Sequence, residues 1–200
     1  MVLTTADKAD IIDLYEERLK RYGVNVLTVG WKNAKQQRLR FKHLTNIKGF
    51  EDKSLLDVGC GFGDLYNYLR KQGLDVKYTG YDLSPKLIEI AKRKNSHLNF
   101  EVKDILSEEF GKFDYIVTSG TLNKKVSDNL SYATRMIETM FKHCRKGIAF
   151  NMFTTLVDFK EDYLYYYSPD SVLKACRQMS RKVMMKHNYP LHDFTFQVYR

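Results

Sequence analysis

Three glycines and one aspartate stand close together near residue 60. In the stretch LLDVGCGFGDL, Asp57 ends an apolar run, and Gly59, Gly61 and Gly63 follow it at alternate positions. Glycine has no side chain, so it permits a tight turn and lets ligand atoms approach the backbone. The first N–H groups of a helix that follows such a turn supply hydrogen-bond donors and a partial positive charge. The stretch therefore predicts a binding site for the polar part of a nucleotide-like ligand.

A second aspartate follows at the sequence spacing that is typical of such a site. Asp82 follows Gly63 by about 20 residues, at the end of the next strand-like segment, where an acid typically accepts hydrogen bonds from ribose hydroxyls. A buried carboxylate without such a partner would be costly. This spacing favours a ribosyl cofactor, and the alternative is that the glycines form a structural turn only.

The hydrophobic pattern supplies the elements that would position these residues. Two helices are predicted first, over about 6–22 and 34–47, and from Lys53 onward strand-like and helix-like segments alternate. The alternation predicts a parallel sheet covered on both faces, in an α/β fold of the doubly wound Rossmann type. The strand after the longest helix is predicted to begin at a turn around Gly147. The last two β-rich runs, RKVMMKHNY and DFTFQVYR, predict an antiparallel hairpin.

Composition indicates an ordinary globular chain. The 200 residues are 44% hydrophobic and 28% charged, which suits a single domain. The sequence has no apolar run of membrane-spanning length, and its acidic N-terminus does not resemble a signal peptide. Its three cysteines lack CxxC spacing and are predicted to be reduced thiols. We expect a cytoplasmic protein without a membrane partner or a metal site.

Positive charge is concentrated near the N-terminus. Nine Lys or Arg and no Asp or Glu lie in residues 18–50, which leaves 24 of the 33 basic residues for the rest of the chain against all 24 acidic residues. Such a segment could attract an anionic ligand, a substrate carboxylate or nucleic acid. An equally good interpretation is a solvated helix face.

The order of the glycines separates two kinds of cofactor site. A dinucleotide site typically has GxGxxG, whereas this chain has GxGxG with Asp57 before it, and a third acid, Asp104, follows the third strand in FEVKDI. Over residues 53–200 the arrangement resembles the class I S-adenosylmethionine-dependent methyltransferases. The resemblance implies a mostly parallel seven-stranded sheet with a reversed last strand. It divides a single domain into a helical cap segment, residues 1–50, and a methyltransferase domain, residues 51–200.

The resemblance also implies roles for individual residues. Backbone of the glycine loop would contact the methionine part of S-adenosylmethionine, acids at successive strand tips would hold its amino group, ribose and adenine, and the end of the fourth strand would border the methionine part. The residues concerned are Asp57, Gly59, Cys60, Gly61, Asp82, Leu83, Asp104, Ile105, Ser119 and Gly120. Trp31, Gln37 and Arg40 lie in a segment that could cover the cofactor, with Arg40 on the methionine carboxylate; alternatively, Trp31 packs a helix and Arg40 is solvated.

The expected reaction is in-line displacement of the methyl group by an acceptor atom. This chain has SGTLN where base amino-methylating enzymes of similar fold usually carry (N/D)PP(Y/F), and it has no Pro-Cys pair. A small-molecule acceptor is therefore predicted. The alternatives are an RNA or other nucleic-acid methyltransferase, and a regulator that binds S-adenosylmethionine without turnover. No general base is assigned, and the candidate acceptor-side residues are Asn123, Asn151, Tyr166 and His192.

Overall fold

The computed structural model describes residues 3–47 and 49–200. Residues 1 and 2 of the predicted cap segment, and Lys48 of the basic segment, lie outside the described residues. The strands are β1 (Ser54–Val58), β2 (Lys77–Asp82), β3 (Asn99–Val102), β4 (Phe113–Ser119), β5 (Cys144–Phe153), β6 (Val183–Lys186) and β7 (Asp193–Tyr199).

These strands form one sheet of seven strands in the order β3-β2-β1-β4-β5-β7-β6. The pairs from β3 across to β5 are parallel, and β7 is antiparallel to both of its neighbours. The predicted doubly wound sheet with a C-terminal antiparallel hairpin is confirmed. The chain order reverses between β1 and β4, and in such sheets ligands bind at the carboxyl ends of the strands at this reversal.

Helices and their caps agree with the local sequence signals. Thr4 and Asp7 form a reciprocal capping box, and Ser84 caps a helix that has Pro85 at its first position. The helices are α1 (Thr5–Tyr22), α2 (Ala34–Leu44), α3 (Asp64–Lys71), α4 (Pro85–Lys94), α5 (Asn129–His143) and α6 (Pro169–Met179), with a short 3₁₀ turn at Thr121–Asn123.

Successive residues of the central strand enter two different cores, because side chains alternate across a strand. Leu55 packs in a cluster with residues of α2, α3 and α4, whereas Leu56 packs in a cluster with residues of α5 and α6. Both leucines are fully buried. The two helical layers therefore hold the sheet from both faces, and its carboxyl edge is left for α1 and the connecting loops.

Two predicted boundaries are wrong. The second helix ends at Leu44 and not near residue 47, because Thr45 turns out of the helix and bonds its hydroxyl back to the carbonyl of Phe41. The fifth strand begins at Cys144, directly after α5, so the turn predicted around Gly147 does not exist. Gly147 lies inside β5, where a Cβ would come 2.8 Å from the carbonyl oxygen of Val198 on β7. Close strand approach, not a turn, requires this glycine.

Candidate functional site

A cavity lies over the carboxyl ends of β1, β2 and β4. It encloses about 1410 Å³, part of which is open solvent, and α1 and the segment around residue 163 contribute to its walls. The cavity thus lies where ligands bind in sheets of this kind, at the carboxyl ends of the strands.

The glycine loop forms one wall of this cavity. Gly59, Gly61 and Gly63 all have positive φ angles, between 54° and 74°, a conformation that side-chain-bearing residues rarely adopt. The N–H groups of Gly59 and Cys60 donate to the carbonyl of Tyr81, at 2.7 and 3.0 Å. Because these two donors are already used, Gly59 and Cys60 offer a ligand their Cα atoms and carbonyl oxygens rather than their N–H groups.

Asp82 ties the loop to the end of β2. One carboxylate oxygen accepts from the N–H of Gly61 at 2.9 Å, and the other accepts from the N–H of Ser84 at 3.0 Å. Burial raises the pKa of Asp82 above its usual value, although these backbone hydrogen bonds act in the opposite direction. Each carboxylate oxygen has a second lone pair, so Asp82 can still accept from two hydroxyl groups in the cavity.

Asp57 is the most buried carboxyl group of the cavity wall and is 3% exposed. Its pKa is raised to about 7, chiefly by burial; a 2.6 Å hydrogen bond from the hydroxyl of Tyr78 opposes this rise, and the neighbouring charges of Asp82 and Asp64 add to it. At neutral pH the group is therefore divided between its protonated and ionised forms. A cationic ligand group beside it would favour the ionised form.

Asp104 lies beyond the end of β3 and is held by three donors. They are the N–H of Leu106 at 2.9 Å, the hydroxyl of Ser107 at 2.8 Å and the ammonium of Lys8 at 2.6 Å. Burial raises the pKa of Asp104, but the hydrogen bonds from Lys8, Leu106 and Ser107 outweigh it, so the pKa lies below its usual value. Leu83 and Ile105 line the cavity on the same side.

The end of β4 forms the opposite side. Ser119 and Gly120 line the cavity, and Gly120 has a φ of 81°. Its N–H donates to the side chain of Asn151 at 3.0 Å, and the Asn151 amide donates to the hydroxyl of Ser119 at 3.1 Å. Asn151 therefore supports this loop from β5. A Cβ at Gly120 would come 2.6 Å from the indole of Trp31, so the two are in close contact.

Most of the predicted cofactor residues are brought together in this cavity. Trp31 and Gln37 line it, as do the predicted residues of the glycine loop and of the ends of β2, β3 and β4, together with Asn123. Arg40 does not line it, because its guanidinium is buried in an ion pair with Asp193.

Three predicted acceptor-side residues also lie outside the cavity wall. Asn151 is fully buried behind Gly120. The ring of Tyr166 stacks on Phe153, and its hydroxyl accepts from the N–H of Glu161. His192 is exposed in the turn before β7. Asn123 does line the cavity; its oxygen accepts from the N–H of Phe153, and its buried Nδ2 has no hydrogen-bond partner among the described residues.

Helix α1 contributes a wall that sequence reasoning missed. Its residues Ile11, Leu14, Tyr15 and Arg18 line the cavity. A terminal nitrogen of Arg18 lies 3.0 Å from the position a Cβ would take on Gly30, and its guanidinium carbon lies 5.9 Å from the centre of the Tyr15 ring. The available signal was an arginine on the helical stripe of Ile11, Leu14 and Tyr15, four residues after Leu14.

The residues present fit an adenosyl compound that carries an amino acid group. Asp57, Asp82 and Asp104 supply acceptors for amino and hydroxyl groups, Leu83 and Ile105 supply apolar surface for a base, and Arg18 supplies a cation. Among the described residues, no group of three or more His, Cys, Asp or Glu could hold a metal ion. In the same part of the chain, no helix is both long and apolar enough to cross a membrane.

Comparisons with known proteins agree with this geometry. A family model described as a methyltransferase domain matches residues 56–148. A Mycobacterium tuberculosis protein that carries a methyltransferase name is 30% identical over 155 residues, which are 72% of this chain and 92% of that protein. A ubiquinone biosynthesis O-methyltransferase of Coxiella burnetii is 35% identical over 96 residues, 45% of this chain and 40% of that enzyme. This chain thus spans nearly all of the first relative and less than half of the second.

Solved structures show the same fold. The crystal structure of magnesium protoporphyrin IX methyltransferase from Synechocystis PCC 6803, with bound S-adenosylhomocysteine, has a TM-score of 0.69 and 16% identity, and the match covers 97% of this chain and 100% of that chain. Since the mycobacterial relative matches most of both chains, and the fold is that of the solved Synechocystis enzyme, the chain belongs to the class I S-adenosylmethionine-dependent methyltransferases, and S-adenosylmethionine is its cofactor.

Proposed function

We propose that this enzyme transfers the methyl group of S-adenosylmethionine to a small-molecule acceptor. The observation that carries the proposal is the wall of the cavity beyond the glycine loop. Trp31, Phe153, Tyr163 and Leu164 line it, whereas the exposed basic residues of α2 do not. An aromatic, mostly apolar chamber favours a compact acceptor over a polyanion.

The cofactor placement that we propose follows the geometry of the strand ends. Asp82 accepts from the ribose hydroxyls, Leu83 and Ile105 contact the adenine ring, and Asp104 accepts from the adenine amino group. Asp57 and the loop from Gly59 to Gly61 hold the amino acid end, and Ser119 and Gly120 border it. The two free lone pairs of Asp82 and the burial of Asp57 support these roles.

For the methionine carboxylate we propose Arg18 in place of Arg40. Arg18 lies beside Gly30 in the cavity wall, and the neighbouring Val29 side chain lies 2.9 Å from the position a Cβ would take on Gly61. Arg18 is thus near the glycine loop, and its guanidinium can bind both oxygens of a carboxylate. It forms no ion pair with an acid among the described residues, so it is available for a ligand.

The sulfonium of the cofactor supplies an activated methyl group and a neutral thioether leaving group. This chain needs mainly to align the acceptor and to exclude water, which is a large contribution to rate by itself. The α1 wall and the aromatic side chains of the chamber provide that exclusion. We assign no general base.

The proposal is tested by incubating the enzyme with methyl-labelled S-adenosylmethionine and, in separate reactions, fractionated small metabolites and total RNA. We expect label in a small-molecule fraction only. An Asp82→Ala variant serves as control, because loss of the ribose contacts should weaken cofactor binding by about 1–3 kcal/mol and reduce labelling. Label that enters RNA alone would contradict the small-molecule acceptor.

One observation favours a second candidate, a nucleic-acid acceptor. Lys35, Arg38 and Lys42 are exposed on α2 at spacings of three and four residues, so they share one helix face. That face could contact phosphates while a base enters the cavity.

We also propose that the protein is cytoplasmic, supported by three buried cysteines that form no disulfide.

A further inference from the structure

A buried ion pair lies directly behind the aromatic wall of the cavity. Arg40 on α2 and Asp193, the first residue of β7, are paired, and their side chains are 5% and 0% exposed. They are 153 positions apart in the sequence and join the N-terminal segment to the last strand. The other oxygen of Asp193 is buried without a hydrogen-bond partner among the described residues.

Such a pair is a poor device for stability alone. Removing two charges from water costs more than their attraction usually returns, and well-packed apolar residues often replace a buried pair without loss. Burial accordingly raises the pKa of Asp193 even though Arg40 acts in the opposite direction. Stability alone therefore does not account for this pair, and the side chains that it contacts become the relevant observation.

The guanidinium of Arg40 contacts two rings of the cavity wall. Its central carbon lies 4.4 Å from the centre of the Trp31 ring and 5.8 Å from the centre of the Phe153 ring. Both aromatic residues line the cavity. Phe153 is also the register partner of Asp193 across the β5–β7 ladder, so both members of the pair are adjacent to this wall.

The far edge of the Trp31 indole is fixed by Gly120. The position of a Cβ on Gly120 is only 2.6 Å from the Trp31 ring, so a larger residue would push the indole away. Trp31 is thus held between Arg40 and the end of β4, beside the place proposed for the methionine part of the cofactor.

We propose that Arg40 and Asp193 are positioning residues, a buried clamp that fixes the Trp31 and Phe153 rings and so shapes the chamber where cofactor and acceptor meet. The pair acts through the aromatic wall and touches neither ligand. The effect on cofactor binding rests on the proposed placement of the methionine part beside Gly120.

The single tryptophan of the chain makes the clamp directly measurable. In the ligand-free wild-type protein, we expect Trp31 fluorescence to be shielded from acrylamide and to show high anisotropy, because the indole is 8% exposed and held on two sides. A readily quenched, mobile indole in the folded protein would overturn the proposal without any variant or ligand.

The test of the pair uses a variant that leaves no buried charge unpaired. In the double variant Arg40→Met with Asp193→Leu, we expect a normal circular dichroism spectrum, a clear increase in acrylamide quenching of Trp31, and a roughly tenfold weaker affinity for S-adenosylhomocysteine. The single variant Arg40→Lys, which keeps the charge but not the planar guanidinium, should keep part of the shielding of Trp31 from acrylamide. Arg38→Met, on the exposed face of the same helix, is the matched control and should change neither quantity.

A double-mutant cycle separates positioning from direct contact. If the pair acts through Trp31, its replacement should change the affinity for S-adenosylhomocysteine by less than about twofold once Trp31 is alanine. Equal weakening in both backgrounds, or no change in quenching in the first, would overturn the clamp. A third outcome is that the double variant increases the quenching of Trp31, while neither it nor Trp31→Ala alone changes the affinity for S-adenosylhomocysteine. The proposed place of the methionine part would then be wrong, and the clamp itself would stand.

Discussion

At the scale of single residues, the position of Asp57 couples binding to protons. Its carboxyl group is buried near Asp64 and Asp82, and its pKa is raised to about 7, chiefly by burial. The unfolded chain has the ordinary value of 3.8. Between these two pH values the folded protein holds a proton that the unfolded chain has lost, so stability contributed by protonated Asp57 is lost as pH rises toward 7.

The first prediction concerns the pH dependence of cofactor binding. A cationic cofactor favours ionised Asp57 and lowers its pKa in the complex, so affinity should rise from pH 6 to pH 8 and binding should release a proton. Calorimetry of S-adenosylmethionine binding in buffers of different ionisation enthalpy measures the released proton.

The control is Asp57→Asn, which can still accept from Tyr78 but cannot ionise. It should remove most of this pH dependence, and it should raise the free energy of unfolding by about 1–3 kcal/mol at pH 8 but much less at pH 5. Affinity that falls as pH rises in the wild type would contradict the role of Asp57.

The second prediction assigns the carboxylate contact to Arg18. Arg18→Ala should weaken S-adenosylhomocysteine binding by about 1.5–3 kcal/mol, the cost of a lost charge-assisted hydrogen bond. Binding of 5′-methylthioadenosine, which lacks the amino acid group, should be unchanged in the same variant. Titration of both compounds by calorimetry makes the comparison. If both compounds are weakened equally, Arg18 supports the fold and does not bind the carboxylate.

The sequence identified some of these residues and not others for a physical reason. Asp57, Asp82 and the glycines are readable because the chemistry lies in one loop and at a fixed spacing from it. Arg18 reaches the cavity, and Lys8 reaches Asp104, only because α1 folds across the strand ends, and no local pattern encodes where a helix docks. The ion pair of Arg40 could not be predicted, because an arginine near a binding segment has the same local sequence whether it faces a ligand or Asp193.

At the scale of elements, α1 is the part of the structure that closes the cavity. Three polar side chains of α1 hold it across the sheet edge. Asp7 accepts from the N–H and hydroxyl of Ser127 at 2.9 Å, Lys8 pairs with Asp104, and Glu16 pairs with Lys86 at 2.5 Å. The ion pairs of Lys8 and Glu16 are partly exposed, and such pairs contribute little each, so we expect the helix to open without unfolding the domain.

The third prediction is that α1 opens locally and that the cofactor closes it. Amide hydrogen exchange should be faster in α1 than in β1 or β4, and S-adenosylhomocysteine should slow it, because Ile11, Leu14 and Tyr15 line the occupied space. Lys8→Met should speed exchange of α1 about two- to fivefold, the effect of losing one partly exposed pair. Asp13→Ala, on the exposed side of the helix, is the control. Exchange of α1 as slow as that of β4 in the absence of ligand would contradict the prediction.

The periodicity of α1 was predictable, but its role was not. A stripe of Ile11, Leu14 and Tyr15 shows that one face is buried without showing what it covers. The predicted start of β5 is wrong for a related reason. Strand β5 follows α5 without a turn residue, so no local sequence signal marks its start at Cys144, whereas Gly147, three positions later, carries a turn signal that the structure does not use.

At the scale of the whole molecule, two features lie apart: the cavity at the carboxyl ends of the strands and the basic face of α2. The order β3-β2-β1-β4-β5-β7-β6 places the cavity at the reversal between β1 and β4. The alternation of strands and helices predicted the doubly wound parallel sheet but not this strand order. The net charge of +9 says nothing about this cavity. Lys35, Arg38 and Lys42 lie exposed on α2 and outside the cavity wall.

The fourth prediction separates this basic face from the methyl-transfer site. The enzyme should bind single-stranded RNA weakly, with an affinity that falls steeply with salt, because clustered lysine and arginine release counterions from phosphates. Reversing the charges of Lys35, Arg38 and Lys42 to glutamate should make the fall of log affinity with log salt less steep, by about 2–3 in slope, as measured by fluorescence anisotropy. The same triple variant should bind S-adenosylhomocysteine as the wild type does and should methylate a small-molecule acceptor at the same rate, since none of the three residues lines the cavity. If the variant loses methyl transfer while cofactor binding is intact, the acceptor is carried on a polyanion, and the basic face of α2 belongs to the site after all.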